Sequence, residues 1–508
     1  MISVRKTAAA VLLLLTAGHA AAQDAPLSAI DWLSDVLADP GRATPSVTPG
    51  STGGKVTQES LPPLSFDGIG LLPSANTGFS KQVWGRSSGL RIRSLMRQVK
   101  GTGVPAARAL YARLLLARTA PPAGGSQQSN LLLSRIDMLL MLGALEEARA
   151  LMALIGDPSR DVFRRMFDAS LLAGDTERAC DRIAAFPEFA PSIQAQVFCT
   201  VRRGDWRSAA FTLSVGERIE AIDPLRATHM SWFLDPELFA TDEELDAPSP
   251  LTPLDFVVRE AIGQPRPAEP LPLAFLHWDL SDTATVRDRI EVAERLVRQS
   301  TTPPRILQAA YRARPPAASG GVWGRAGAIQ DLDAALDGDE WEEALAAADT
   351  ALSPQGLRPA LARMYAGTLI KQRPRPSGRV AELLLLDGKS IAAGAWLHGE
   401  AQWLHRAALA LARGSDFTDP LPAAAGDGEV RADAALRAFR DGAEADDPLR
   451  LLTEGGREGE AILAALRILD AGAAVEPADF RSALSALDAA GQGRVARQIA
   501  VETLFGQP

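Results

Sequence analysis

The sequence predicts an all-α fold, a right-handed superhelix of antiparallel helix hairpins divisible into two halves, and three observations carry that expectation. Apolar residues recur at helical spacing in segments of about ten residues, separated by brief turns rich in Gly and Pro. Period-two alternation is rare, β-branched runs are nearly absent and alanine is abundant, all of which argue against strands. Glycines also recur in register: Gly143, Gly174 and Gly204 stand 31 and 30 residues apart, and each is followed five positions later by Ala148, Ala179 or Ala209.

The chain opens with the charged pair Arg5 and Lys6, an apolar run over 8–15 and the small-residue stretch Gly18-His19-Ala20-Ala21-Ala22. That order predicts a secretory signal peptide over 1–22, cleaved after Ala22 into the periplasm. The run is much shorter than the roughly 20 apolar residues a spanning helix needs. No cysteine follows the cleavage point to carry a lipid. Later apolar stretches at 131–145 and 380–386 are interrupted or bounded by Arg135, Asp137, Glu382 and Asp387, so no membrane span is expected. Cleavage takes two cations with it and moves the formal net charge from −9 to −11, which disfavours nucleic acid and anionic headgroups as partners.

Residues 23–38 are expected to form a short amphipathic helix, with Ile30, Trp32, Leu33 and Leu37 as a docking face and Ser28 as its cap. A flexible Pro/Gly/Ser/Thr linker follows over 39–63. Docking of this arm on its own body and recruitment of a partner fit the pattern equally well. An N-terminal helical repeat region is expected over 64–222, with helices at 90–99, 105–118, 131–141, 145–154, 161–172, 176–185, 192–202 and 206–215. A Pro-rich acidic connector is expected over 223–283, a helical hairpin over 284–313 and a linker over 314–325. The C-terminal repeat region, 326–508, is read as helices at 326–336, 341–352, 357–369, 380–386, 391–411, 430–444, 458–470, 477–489 and 494–505.

The glycine and alanine register has a physical reading. A glycine ends the first helix of each hairpin in the left-handed conformation, and the alanine, lacking bulk, lets the second helix approach closely. The same offset recurs at Gly388 with Ala393 and at Gly491 with Ala496. A fixed period of this length is the mark of an α-solenoid. Gly204-Asp205-Trp206-Arg207-Ser208-Ala209 resembles the turn and second helix of the tetratricopeptide repeat, and Asp339-Glu340-Trp341-Glu342-Glu343-Ala344 resembles it more loosely. The resemblance covers 131–215 and 338–355 and departs from the family in its irregular period and missing first-helix aromatics. The whole chain also resembles a group of exported helical proteins of alphaproteobacteria, on the Trp32 segment and Gly70-Leu71-Leu72-Pro73; this likeness implies no activity.

The two cysteines, Cys180 and Cys199, are too few for a metal site and are expected to form a disulfide in an oxidising compartment. Gly85-Arg86-Ser87-Ser88-Gly89 has the spacing of a hydrolase nucleophile elbow, but the preceding strand that chemistry requires is missing, and a turn with a helix cap explains the residues. Gly388-Lys389-Ser390 ends like a phosphate-binding loop, yet Leu383 stands where its first glycine belongs. Trp396-Leu397-His398 and Trp403-Leu404-His405 repeat at seven residues on a single expected helix, about 10 Å apart and too far to share a metal ion. His277 with Asp279 is the nearest approach to an acid and base pair, and His229 lacks a matching ligand set. The expectation is a non-catalytic periplasmic scaffold, without cofactor or metal, that binds another protein or peptide through its helical-repeat surface. The alternative is a cell-envelope enzyme or glycan-binding factor whose site is assembled only by the fold.

Overall fold

The computed structural model describes residues 66–122, 130–237, 244–281, 283–397 and 401–506. The signal sequence, the arm carrying Ile30, Trp32, Leu33 and Leu37, and the 39–63 tether lie outside the described residues. Among those described, the chain is all-α, and its β structure is one isolated bridge between Leu72 and Ala117. The first helices are α1 (Ser74–Thr77), α2 (Gly89–Met96), α3 (Pro105–Leu116), α4 (Asn130–Met141), α5 (Leu145–Ala153), α6 (Arg160–Leu172), α7 (Glu177–Ala185), α8 (Ile193–Arg202) and α9 (Trp206–Arg218). They continue as α10 (Pro224–Leu234), α11 (Pro253–Ala261), α12 (Val286–Gln299), α13 (Pro304–Arg312), α14 (Gly321–Ala335), α15 (Trp341–Leu352) and α16 (Arg358–Leu369). The last are α17 (Gly378–Leu386), α18 (Ser390–Trp396), α19 (Trp403–Arg413), α20 (Asp427–Arg440), α21 (Pro448–Glu454), α22 (Glu458–Leu469), α23 (Pro477–Leu487) and α24 (Gly493–Phe505).

The glycine turns share one geometry. Gly143, Gly174, Gly204 and Gly388 all have φ between 68° and 83°. The amide of the next residue reaches back five positions, Ala144 to Leu139, Asp175 to Ser170, Asp205 to Thr200 and Lys389 to Leu384, at 2.8–3.2 Å. That bond closes a helix whose last carbonyls would otherwise lack donors. Ala148, Ala179, Ala209, Ala393 and Ala496 are all buried.

The turns nevertheless differ in their surroundings. A Cβ at Gly174 or Gly204 would meet open space, whereas at Gly143 it would stand 2.9 Å from the Cβ of Leu273 and 3.0 Å from that of Ser300. Gly174→Ala should therefore cost only the left-handed strain, about 1 kcal/mol, and Gly143→Ala about 3 kcal/mol because strain and overlap add. Urea unfolding of the two variants checks the ranking, and equal losses would refute the packing role given to Gly143.

Three expectations are corrected. The 223–283 segment, expected as a Pro-rich acidic connector, holds α10, α11 and a 3₁₀ segment, Leu273–Leu280. Pro224 and Pro253 stand at the first helical position, where an amide is dispensable. Asp223 accepts from the amides of Leu225 and Arg226, and Thr252 forms a capping box with Asp255. The 391–411 helix is two helices, since the Trp396 carbonyl accepts the Ser377 amide at 3.1 Å and the chain leaves helical geometry at Leu397. Finally, 314–325 does not separate two bodies. The Gln330 amide donates across it to the carbonyls of Tyr311 and Arg314, and Arg325 pairs with Glu294 of α12 at 2.6 Å.

Two apolar cores divide the protein differently from the chain order. One runs from Leu72 through Leu296 and takes up residues between Leu411 and Ala500; the other spans Ile290 to Ala408 and adds Val501 and Phe505. The C-terminal helices thus return to the N-terminal ones, α24 packing on α3 and α22 on α2. Asp470 accepts the amides of Lys100 and Thr102 at 2.7 and 3.0 Å, and Glu502, fully buried, accepts the amide of Ala106 at 2.7 Å.

Candidate functional site

The α5 to α9 segment is where the repeat register and the exposed apolar side chains coincide. Of eleven large hydrophobic residues exposed among the described residues, six lie here: Leu154, Phe186, Trp206, Phe211, Val215 and Ile219. The helix α9 turns Ala209, Leu213 and Gly216 inward, so Phe211, Val215 and Ile219, four apart, form an outward stripe. Phe211 is 70% exposed, which is unusual for a phenylalanine in a helix that has an inner face to offer.

The helices α5, α6 and α7 enclose a groove of about 410 Å³. Met152 and Phe163 form its buried floor, Met166 is half-buried along it, and Glu146, Arg149 and Asp175 stand on its rim. Arg149 holds Glu146 at 3.0 Å and Asp175 at 2.9 Å, bridging the two hairpins across the rim. Arg182 pairs with Asp157 and lies 4.4 Å over the ring of Phe189, with Phe163 and Phe186 each 5.9 Å away. Such a cation over aromatic faces fixes the groove's edge. Methionine on the wall suits a surface that adapts to its ligand.

Cys180 of α7 and Cys199 of α8 form a disulfide with Cα atoms 5.0 Å apart, both side chains buried. It ties α7, one wall of the groove, to α8 of the following hairpin, and the closed loop stabilises the fold by about 3 kcal/mol in the chain-entropy account. A buried disulfide fits an oxidising compartment.

The residues of types that could carry chemistry are dispersed. Ser87 is buried, and the glycine turn before it exists because a Cβ on Gly85 would collide with the Gly456 carbonyl. Ser88 caps α2 by accepting the Arg91 amide. Gly388-Lys389-Ser390 is the turn between α17 and α18. His277 bonds the Gly143 carbonyl at 2.7 Å while Asp279 faces Arg266 at 2.8 Å, so the two do not act on each other. His229 accepts from Arg259 at Nε2, 2.7 Å, which leaves Nδ1–H to donate to the Leu225 carbonyl. Burial holds both histidines below their ordinary pKa. His405 sits 2.7 Å from Glu382 and stacks on Phe505; His398 lies outside the described residues. Among the described residues no three His, Cys, Asp or Glu side chains gather as a metal would require, and no helix is long and apolar enough to cross a membrane.

Fold and groove together define an all-helical protein with a disulfide-braced, partly apolar surface. No family model, no curated protein and no solved structure matches the chain.

Proposed function

We propose that the protein is a non-catalytic interaction scaffold of the periplasm, built as a tetratricopeptide-like superhelix, and that its α5 to α9 face binds an amphipathic segment of another protein. The single observation behind this reading is the Met- and Phe-lined groove between α5, α6 and α7. An apolar floor with a rim of both charge signs matches a helix that carries apolar anchors flanked by mixed charges. The order of residues 1–22 supports export, and the buried disulfide accords with it.

Site-specific photocrosslinking in cells tests the reading, with the probe placed at Met166, at Phe211 and, as a comparison, at the exposed Ile391. A discrete adduct from the first two positions alone is expected. Met166→Glu should weaken the purified complex at least tenfold, about 1.4 kcal/mol, while urea unfolding stays near wild type. Identical adducts from all three positions, or none, would overturn the proposal. Removal of 24–40 shows in the same assay whether the arm recruits the partner.

A further inference from the structure

A second cavity, of about 580 Å³, opens where three distant parts of the chain meet, and it shares no lining residue with the groove. Its walls come from the 100–105 loop before α3, the end of α12, the start of α13 and the turn entering α16. Lys100, Arg108, Arg298 and Arg363 line it, and no Asp or Glu does. That is an unexpected lining for a chain of formal net charge −9.

Two of the four charges are met by neutral carbonyls and one by a carboxylate. Arg108 is 4% exposed and spends its donors on four neutral carbonyls, those of Gly101, Gly103, Arg298 and Ser300, at 2.7–3.1 Å. These bonds satisfy hydrogen-bonding geometry without cancelling charge. Arg298 likewise donates to the carbonyl of Gln355 at 3.0 Å. Arg363 pairs with Glu502, which also serves the Ala106 amide. Burial, opposed by the Glu502 carboxylate and helped by Arg363, pushes Arg108 down to about 10, still protonated at neutral pH.

The backbone adds to the same field. The helices α3, α13 and α16, of 12, 9 and 12 residues, all begin at this cavity, each with proline in its first turn. Their positive ends reinforce the four cations. The opposing negative end, the last turn of α12, is covered by Arg108 on the carbonyls of Arg298 and Ser300. Four side-chain cations and three helix N-termini face the cavity, against two carboxylates, Asp470 and Glu502, that are already occupied behind it.

We infer that this cavity is a binding site for a small, multiply charged anion, one bearing two or more carboxylate or phosphate groups. Lys100, Arg298 and Arg363 would contact its oxygens, and Arg108 would supply charge from beneath. The volume is within the range of small-molecule pockets, and concentration of one sign of charge in a low-dielectric cleft strengthens the attraction.

Calorimetric titration of the full chain with citrate and with pyrophosphate, at matched ionic strength, tests this. One-to-one binding of either probe is expected: citrate alone identifies carboxylates, pyrophosphate alone identifies phosphates, and both identify the shared chemistry. Lys100→Gln, at an exposed position, and Arg363→Gln should each reduce affinity about tenfold or more, the scale of a lost charge-assisted hydrogen bond. Arg207→Gln, at an exposed position on α9, should change nothing. Absence of saturable binding by both probes would overturn the inference. So would unchanged affinity in Lys100→Gln, a surface substitution that leaves the packing intact.

Discussion

Arg135→Met is expected to lose about 4 kcal/mol of stability or more, the largest effect of any single substitution considered for this fold. Arg135 is 1% exposed and lies within the apolar helix α4. Its guanidinium donates to the carbonyls of Asp67, Ile69, Leu115 and Ala117, so one side chain holds the first described segment against the end of α3. The bridge between Leu72 and Ala117 continues that junction through the amides of Leu72 and Arg118. Burial lowers Arg135 to about 10, and Asp67 opposes the shift. Asp67 in turn accepts the amides of Leu131 and Leu132 in the first turn of α4. Methionine fills similar volume but leaves four buried carbonyls without this donor, at about 1 kcal/mol or more each. Lysine should recover part of the loss, because an ammonium keeps the charge but not the planar fork. Urea unfolding supplies the energies, and limited proteolysis should show cleavage near 66–88 before the remainder of the chain. A loss below about 1.5 kcal/mol for Arg135→Met would contradict the stapling role, given what orphaned buried acceptors cost.

The helices and their glycine turns were legible because their causes are local. Gly143, Gly174, Gly204 and Gly388 each turn the chain so that the next amide meets a carbonyl five positions back, within the reach of a sequence pattern. Prolines misled where their position within a turn decides their effect: Pro224 and Pro253 open helices that composition alone assigns to a connector. Trp396 and Trp403 fall on one periodic run in the sequence, but the Ser377 amide, brought in by another helix, ends α18. The arginines were the least legible. Arg135 interrupts an apolar stretch and Arg108 sits in an ordinary amphipathic one, and neither pattern names a partner. Their partners are backbone carbonyls, which every residue type presents alike, and for Arg108 two of them lie 190 and 192 residues away. The helices of the groove were legible through their repeat register, but the groove itself was not, because the inward turn of Met152 and Phe163 depends on the packing of three helices together.

Glu147→Gln is expected to stabilise the protein by about 3 kcal/mol at pH 8 and by less than about 1 kcal/mol at pH 5. Glu147 is buried on α5 with one long contact, 3.4 Å, from the Thr301 hydroxyl. Burial raises its pKa from 4.5 to about 7, helped by the neighbouring charge of Glu146 and opposed by its own amide and Thr301. The folded state therefore holds this proton more tightly than the unfolded one, and the stability it confers, complete below pH 4.5, is lost as pH rises through 7. Asp168, raised to about 6 by burial, acts in the same direction over pH 3.8 to 6. His229 and His277 act in the opposite direction. Burial depresses both below 6.5, so the folded state prefers them neutral, and their contribution, present above pH 6.5, is lost on acidification. Wild-type stability should thus pass through a maximum set by this opposition. Removing the Glu147 carboxylate takes away the alkaline loss only, so the maximum of Glu147→Gln should move to higher pH while its acid limb is retained. Urea titrations between pH 5 and 8 measure both curves. A difference between wild type and variant that stays constant across that range would show that Glu147 ionises equally in the folded and unfolded chain.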